Sequence, residues 1–417
     1  MEKFKIKGGR KLKGKVEISS AKNAYLPILA GCILCDKKIV LHKCPEFADI
    51  FNMSKILENL GGQITFKSKD LIFDGQNLNS HYIPPELASG LRSSIFSLGS
   101  ILGRFKHAKV AYPGGCEIGA RPIDLHIKGL EALNVKINDR HGYLYCDGRN
   151  MRGGLVNLDF PSVGATENIM LAAVLTKGET KIINAAKEPE IVDLANFLKL
   201  MGAKIYGAGT SVVRIEGVKK LSSVSYTPMP DRIIAGTYLL AGLMTGGQIE
   251  LKNFKKEHNL ALLEKVKESA CNIQIKNDIL FLKAEGQLKS ISKIETSPYP
   301  GFPTDLQSQM LALQSVSNGT SVITENVFET RFKLVPELIK MGANVTVKDR
   351  TAVVFGTDKL YGAEVTATDL RGGAALVMAG LAAEGYTIIN NISHIDRGYS
   401  KLEETLTALN ADIERIK

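Results

Sequence analysis

Two kinds of helical stripe alternate along the chain. One is amphipathic, closes on a tight turn and runs into a short β-prone stretch; it recurs at residues 56–64, 130–137, 198–205, 266–273, 338–345 and 406–413. Its turn residue is Gly61, Asn134, Gly202, Gly342 or Asn410 in five copies, types that accept the left-handed backbone on which helices stop. The fourth copy has Ala270 there, with Asn272 two residues later. The other stripe is apolar on most faces and recurs at 25–34, 94–102, 168–175, 233–243, 306–316 and 374–381. A helix apolar all round must be buried, whereas the amphipathic one keeps a polar face for water. Each unit thus supplies one inner helix, one outer helix and several short strands. A period of about 70 residues suits a βαβ-containing unit and is too long for a solenoid repeat.

Six such units in 417 residues predict an α/β fold of two domains with three units each. Pro228-Met229-Pro230 reads as the linker between the third and fourth units. A first strand over residues 4–18 precedes the first unit and is expected to pair with the other domain, giving a second crossing. The expected domains are 22–229, and 1–21 with 230–417, with hinges near 19–22 and 228–230. The cleft between them is the default ligand site.

Composition narrows the class. The chain is 44% hydrophobic and 23% charged, ordinary for a soluble globular protein. Charges at Glu2, Lys3 and Lys5 interrupt any signal-peptide core, and no long uncharged apolar run occurs, which predicts a cytoplasmic protein without a membrane anchor. The net charge of +10 is scattered, without the basic stripe interleaved with aromatics that single-strand binders use. It points to anionic small molecules and not to nucleic acid. Six cysteines without a secretory signal read as reduced thiols. Cys32 and Cys35, with His42 and Cys44 nearby, mimic metal-ligand spacing, but the pair sits in an apolar helix and reads as buried core thiols.

The chemistry concentrates in a few places. In the stretch from Tyr112 to His126, Pro113 and Pro122 bar regular helix, while Gly114, Gly115 and Gly119 free the backbone. Cys116 then stands on a loop with Arg121 five residues on, a cation able to activate the thiol or hold an anion beside it. Alone, this is equally a glycine-rich turn with a spectator cysteine. Lys22-Asn23, Arg92 and Arg371 occupy equivalent places at the starts of the first, second and sixth inner helices, where helix N-termini already favour anions. Asp231 and Asp305 begin the fourth and fifth, either as helix caps or as working carboxylates. Asp369 beside Arg371, Asp396 beside Arg397, and Arg331 read as surface ion pairs or as charged groups of a site. No phosphate-binding P-loop, dinucleotide glycine pattern, zinc-protease motif or nucleophile elbow occurs.

Several segments together carry a family resemblance: 20–24, 113–126, Ser162-Val163-Gly164-Ala165-Thr166, 188–193, Phe302-Pro303-Thr304-Asp305 and 394–399. Through them the whole chain closely resembles the enolpyruvyl transferases of bacterial cell-wall synthesis that act on UDP-N-acetylglucosamine. The resemblance implies a two-domain inside-out α/β barrel of six repeated units, helices within and sheets outside, in agreement with the repeat. It implies transfer of enolpyruvyl from phosphoenolpyruvate to the sugar 3-hydroxyl with release of phosphate, without cofactor or metal, by a monomer. It implies Cys116 as proton donor, on a loop closing over a cleft whose other wall carries Asp305, the base, and Arg397. Lys22, Arg121 and Arg397 would neutralise phosphoenolpyruvate. Asn23, Arg92, Arg121, Pro122, Ile123, Asp124, Leu125, Ser162, Val163, Asp305 and Val327 would meet the nucleotide sugar or its surroundings, and Arg331 and Arg371 join the substrate-binding set. Many relatives have lysine where this chain has Phe160, which removes one charge contact to the diphosphate. A cysteine at 116 implies alkylation by fosfomycin. The rival readings are a shikimate-type enolpyruvyl transferase and a nonenzymatic nucleotide-sugar sensor.

Overall fold

A computed structural model describes residues 2–114, 123–269 and 271–417. The expected site residues Cys116, Arg121 and Pro122, and the turn at Ala270, lie outside the described residues.

The chain forms two compact units, dividing between Ser19 and Ser20 and between Met229 and Pro230. The inserted unit is drawn from residues between Ser20 and Met229. The flanking unit joins the N-terminal stretch to Pro230–Lys417. Among the described residues each unit has three four-stranded sheets around three mutually packed helices. In the inserted unit these are α1 (Lys22–Cys32), α2 (Phe96–Phe105) and α3 (Val163–Ala173); in the flanking unit, α4 (Arg232–Met244), α5 (Gln307–Gln314) and α6 (Leu370–Ala382). All residues of α1 from Ala24 onward and of α4 from Ile233 onward are buried, as an all-apolar stripe requires.

The amphipathic helices stop as their turn residues dictate. Gly61, Asn134, Gly202, Gly342 and Asn410 have φ of 98°, 64°, 106°, 92° and 72°, all left-handed. There a β-branched or bulky side chain would be strained. The first four of these turns feed strands that pair back by a hairpin, whereas the strand after Asn410 pairs with Lys3–Lys7. In the third sheet of the inserted unit, Leu155–Asn157 runs parallel to Glu179–Ile183, which is followed by Val212–Glu216 and Lys204–Tyr206 in antiparallel pairing. Thr180 and Ile182 point to the core while Glu179 and Lys181 face water, the alternation of a sheet covered on one side.

One expected element differs. The single strand over 4–18 is two strands, Lys3–Lys7 and Lys13–Glu17, which join different sheets of the flanking unit. The break has a steric cause. Gly8 passes so close to the Ala383 carbonyl that a Cβ would lie 2.1 Å from the oxygen, and Gly9 turns the chain at φ 86°. Lys3–Lys7 lies between Tyr386–Asn390 and Asp412–Ile416, antiparallel to both, and Lys13–Glu17 is a parallel edge beside Gln248–Lys252.

The inserted unit likewise recruits its last strand: Ser225–Tyr226 returns to lie parallel to Lys38–Leu41. The segment after it is pinned locally. The Asp193 carboxylate accepts from the Tyr226 hydroxyl (2.6 Å) and the Met229 N–H (3.1 Å), while the Ala21 N–H donates to the Met229 carbonyl at 2.7 Å. Burial pushes the Asp193 pKa up to about 6, against the pull of those two hydrogen bonds.

Candidate active site

In the flanking unit the candidate side chains gather where the buried helices begin, and three aspartates there are placed differently. Asp231 caps α4, its carboxylate accepting from the N–H groups of Ile233 (2.8 Å) and Ile234 (2.9 Å). Asp369 caps α6 through Arg371 and Gly372, at 2.9 and 3.1 Å. Asp305 is not the N-cap residue of its helix. It lies in the short 3₁₀ turn Thr304–Leu306 ahead of α5, and one oxygen takes the Arg331 guanidinium while the other takes Arg371 at 2.9 Å. Both arginines are buried, at 2% and 3% exposure, so these are interior pairs and not the surface salt bridges that were the alternative expectation.

The guanidiniums are held from behind. Arg331 Nε donates to the Thr304 hydroxyl (3.2 Å), whose own proton goes to buried Glu325 at 2.9 Å. Glu325 also accepts from Thr296 Oγ1 and from the N–H groups of Val327 and Phe328, at 2.8, 2.8 and 3.0 Å. Arg371 reaches the Tyr399 hydroxyl (3.4 Å), which meets Thr237 at 2.8 Å and Gln309 at 3.4 Å. Burial alone would lower the Arg371 pKa, but Asp305, Tyr399 and Asp231 more than reverse it. The result is one partly exposed carboxylate oriented by two fixed cations. Arg397 follows the short helix Ser393–Asp396 and is half-buried, while its neighbour Asp396 is engaged by Arg415 at 2.7 and 3.0 Å.

Glu325, Thr237, Gln309 and Tyr399 had no role in the sequence reading. A signal existed for two of them, since Thr237 and Gln309 are polar residues inside helices otherwise read as core.

In the inserted unit Lys22 is the first residue of α1 and Asn23 the second. Lys22 Nζ lies 3.0 Å from Asp49, an ion pair almost wholly removed from water. The N-cap of the helix is Ala21, so Asn23 does not cap it. Arg92 sits in the 3₁₀ turn Arg92–Ile95 that runs directly into α2, its guanidinium donating to the Pro113 carbonyl at 3.4 Å. Ile123 is buried, Asp124 is exposed in the first turn of Asp124–Ala132, and Leu125 is half-buried. Ser162 caps α3 by accepting from the Ala165 N–H (3.3 Å), and Val163 opens the helix. Phe160 is 44% exposed just before it.

Beside α3 lies a second group of acids without a role from the sequence: Glu167 within the helix, and Glu188 and Glu190 around the start of Pro189–Leu200. Glu167 is fully buried, and neither of its oxygens has a hydrogen-bond partner among the described residues. Burial foremost, then Glu190 and Glu188, raise its pKa well above the usual carboxylate range. The folded state therefore holds this proton more tightly than the unfolded chain. No ionisation penalty exists below about pH 4.3, and stability drains away as pH climbs from there toward the folded value. Glu167→Gln, which cannot ionise, is expected to raise the melting temperature relative to the native chain by about 3 °C or more at pH 8 and much less at pH 4.5. A difference independent of pH would refute the assignment.

A protein-family model described as EPSP synthase (3-phosphoshikimate 1-carboxyvinyltransferase) matches residues 6–406. Proteins named UDP-N-acetylglucosamine 1-carboxyvinyltransferase match end to end. One from Caldanaerobacter subterraneus subsp. tengcongensis is 51% identical over 416 residues, and one from Carboxydothermus hydrogenoformans is 50% identical over 418, each pair covering 100% of both chains. Among solved structures, the enolpyruvyl transferase NikO from Streptomyces tendae superposes with a TM-score of 0.89 at 22% identity, covering 100% of this chain and 99% of that one. EPSP synthase from Acinetobacter baumannii gives 0.77 at 17%, covering both chains fully. These two establish the fold, and the sequence relatives establish the branch. The chain belongs to the enolpyruvyl transferase family, within its UDP-N-acetylglucosamine 1-carboxyvinyltransferase branch.

Proposed function

We propose that this chain transfers the enolpyruvyl group of phosphoenolpyruvate to the 3-hydroxyl of UDP-N-acetylglucosamine, as the committed step of peptidoglycan precursor synthesis. What carries the reading is Asp305, a carboxylate oriented by Arg331 and Arg371 at the start of a buried helix. The names of the full-length relatives agree with it.

In the addition step Asp305 takes the proton of the sugar hydroxyl, whose oxygen bonds to C2 of phosphoenolpyruvate while Cys116 delivers a proton to C3. In the second step C3 gives up a proton, the C2–O bond to phosphate breaks, and the enol ether and inorganic phosphate result. Lys22, Arg121 and Arg397 neutralise the phosphate and carboxylate of phosphoenolpyruvate. Fixed cations suit this work because they need no reorganisation as charge moves. Asn23, Arg92, Arg121 to Leu125, Ser162, Val163 and Val327 bind the nucleotide sugar. Arg331 and Arg371 hold Asp305 and complete the substrate-binding set.

No helix of the described residues is long and apolar enough to cross a membrane. We place the reaction in the cytoplasm, carried out by a monomer without metal or cofactor and serving cell-wall biogenesis, cell shape and division, with fosfomycin as an inhibitor. The direct check is to mix protein, phosphoenolpyruvate and UDP-N-acetylglucosamine and measure inorganic phosphate. Release is expected only with both substrates present. Release from 3-phosphoshikimate in place of the nucleotide sugar, or none at all, would overturn the reading.

A further inference from the structure

Arg397, the proposed cation for phosphoenolpyruvate, lies between two fixed points of the chain. On one side is Tyr399, at 2% exposure, whose hydroxyl stands 3.4 Å from Arg371, 2.8 Å from Thr237 and 3.4 Å from Gln309, the group that backs Asp305. On the other side is Asp396, held by Arg415 of the C-terminal strand Asp412–Ile416. The backbone closes a turn between them, the Tyr399 N–H donating to the Ile395 carbonyl at 3.0 Å.

Arg415 is itself immobilised. Its Nη1 and Nη2 grip the two Asp396 oxygens at 3.0 and 2.7 Å, its Nε and Nη2 grip Glu403 at 2.7 and 3.3 Å, and Nη1 also takes Glu2 at 2.9 Å. Those contacts use every N–H that a guanidinium carries. The group also lies over the ring of Phe4, 5.0 Å from its centroid, and Phe4 is the residue opposite Arg415 where Lys3–Lys7 pairs with the C-terminal strand. Bridges such as Lys5 to Glu414 or Lys204 to Glu216 join two exposed side chains through a point charge on a flexible stem. A planar fork engaged on two carboxylates at once fixes direction as well as distance. Asp396, the residue just before Arg397, is therefore held in place.

We propose that Arg415 is a positioning residue for phosphoenolpyruvate: by gripping Asp396 in a two-bond fork it fixes the turn from Ser393 to Tyr399, and with it the direction in which Arg397 presents its guanidinium to the substrate. This rests on the reading of Arg397 as a phosphoenolpyruvate-binding cation. Arg415 acts only through Asp396 and touches no reacting atom.

The test is steady-state kinetics of Arg415→Met, Asp396→Asn and the double variant, varying each substrate in turn. Met keeps an unbranched side chain to lie on Phe4 while removing the fork. Each single variant is expected to raise the KM for phosphoenolpyruvate about tenfold, with that for UDP-N-acetylglucosamine within about twofold. The double variant should be no more than about twofold worse than the poorer single one, because both changes break the same link. A role confined to stability would lower kcat or raise both KM values together, and either result overturns the proposal. So does a native KM for phosphoenolpyruvate in either single variant, or effects that multiply in the double one. Should Arg415→Met not fold, Asp396→Asn decides alone on the same KM criterion. If the native chain gives no turnover, the reaction reading fails instead. The proposal is then decided by calorimetric titration with phosphoenolpyruvate in the presence of UDP-N-acetylglucosamine, where the single variants should bind about tenfold more weakly than the native chain. Equal affinity, or no binding by any of them, overturns it.

Discussion

Asp305→Asn is expected to lower the rate of phosphate release by about 10³-fold, with the KM for phosphoenolpyruvate changed little, because it removes the proposed base while keeping most of the shape. The companion Asp305→Ala behaves differently. It leaves two guanidiniums, at 2% and 3% exposure, without the carboxylate that lies between them, and stripping one partner from a buried ion pair costs about 3–5 kcal/mol. The Asn variant keeps an acceptor for one guanidinium but turns its NH₂ donor to the other, so it should be inactive and less stable than the native chain, and the Ala variant inactive and less stable still. Assay and thermal melting separate the two effects. An Asn variant within threefold of the native rate would remove Asp305 from the chemistry.

Fosfomycin is expected to add to one thiol, that of Cys116, when UDP-N-acetylglucosamine is present. The argument comes from the other five. Cys32, Cys35 and Cys146 are buried, and burial raises the pKa of each, Cys146 to about 12. Burial also lifts Cys44 to about 11 and raises Cys271. An epoxide needs a thiolate, and these five supply little of it near neutral pH. Cys116→Ser should lose both the adduct and at least 10² of the rate, since a hydroxyl is a poor acid. Cys116→Asp should lose the adduct while keeping turnover within about tenfold. Peptide mapping by mass spectrometry reads the site, and an adduct on Cys146 or Cys271 would contradict the assignment.

The repeat was legible in the sequence because its signals are local. A stripe apolar on all faces, a Gly or Asn at the helix stop and a β-prone run lie within a few residues of one another, and Gly61, Asn134, Gly202, Gly342 and Asn410 all turn as expected. Pairing between distant segments was not legible. Nothing near Lys3 announces that it will lie beside Ile416, and nothing near Gly8 announces the Ala383 carbonyl that forbids a side chain there. The three aspartates show the same limit. Asp231, Asp305 and Asp369 each stand at the start of a buried helix; sequence makes the first two candidate caps and the third an ion-pair partner of Arg371, although it is Asp231 and Asp369 that cap. What sets Asp305 apart is the arrival of Arg331 and Arg371 from elsewhere in the chain.

The place of Lys3–Lys7 between Tyr386–Asn390 and Asp412–Ile416 has a consequence for how the protein is made. By the time the ribosome has added Met229, all three sheets of the inserted unit have their strands, and that unit can fold as the nascent chain lengthens. The flanking unit cannot. Its first strand emerges at the outset and must wait, unpaired on both edges, until nearly four hundred further residues supply its neighbours. Lys3, Lys5 and Lys7 alternate with Phe4 and Ile6 along that waiting strand, and the like charges resist its premature pairing with another nascent copy.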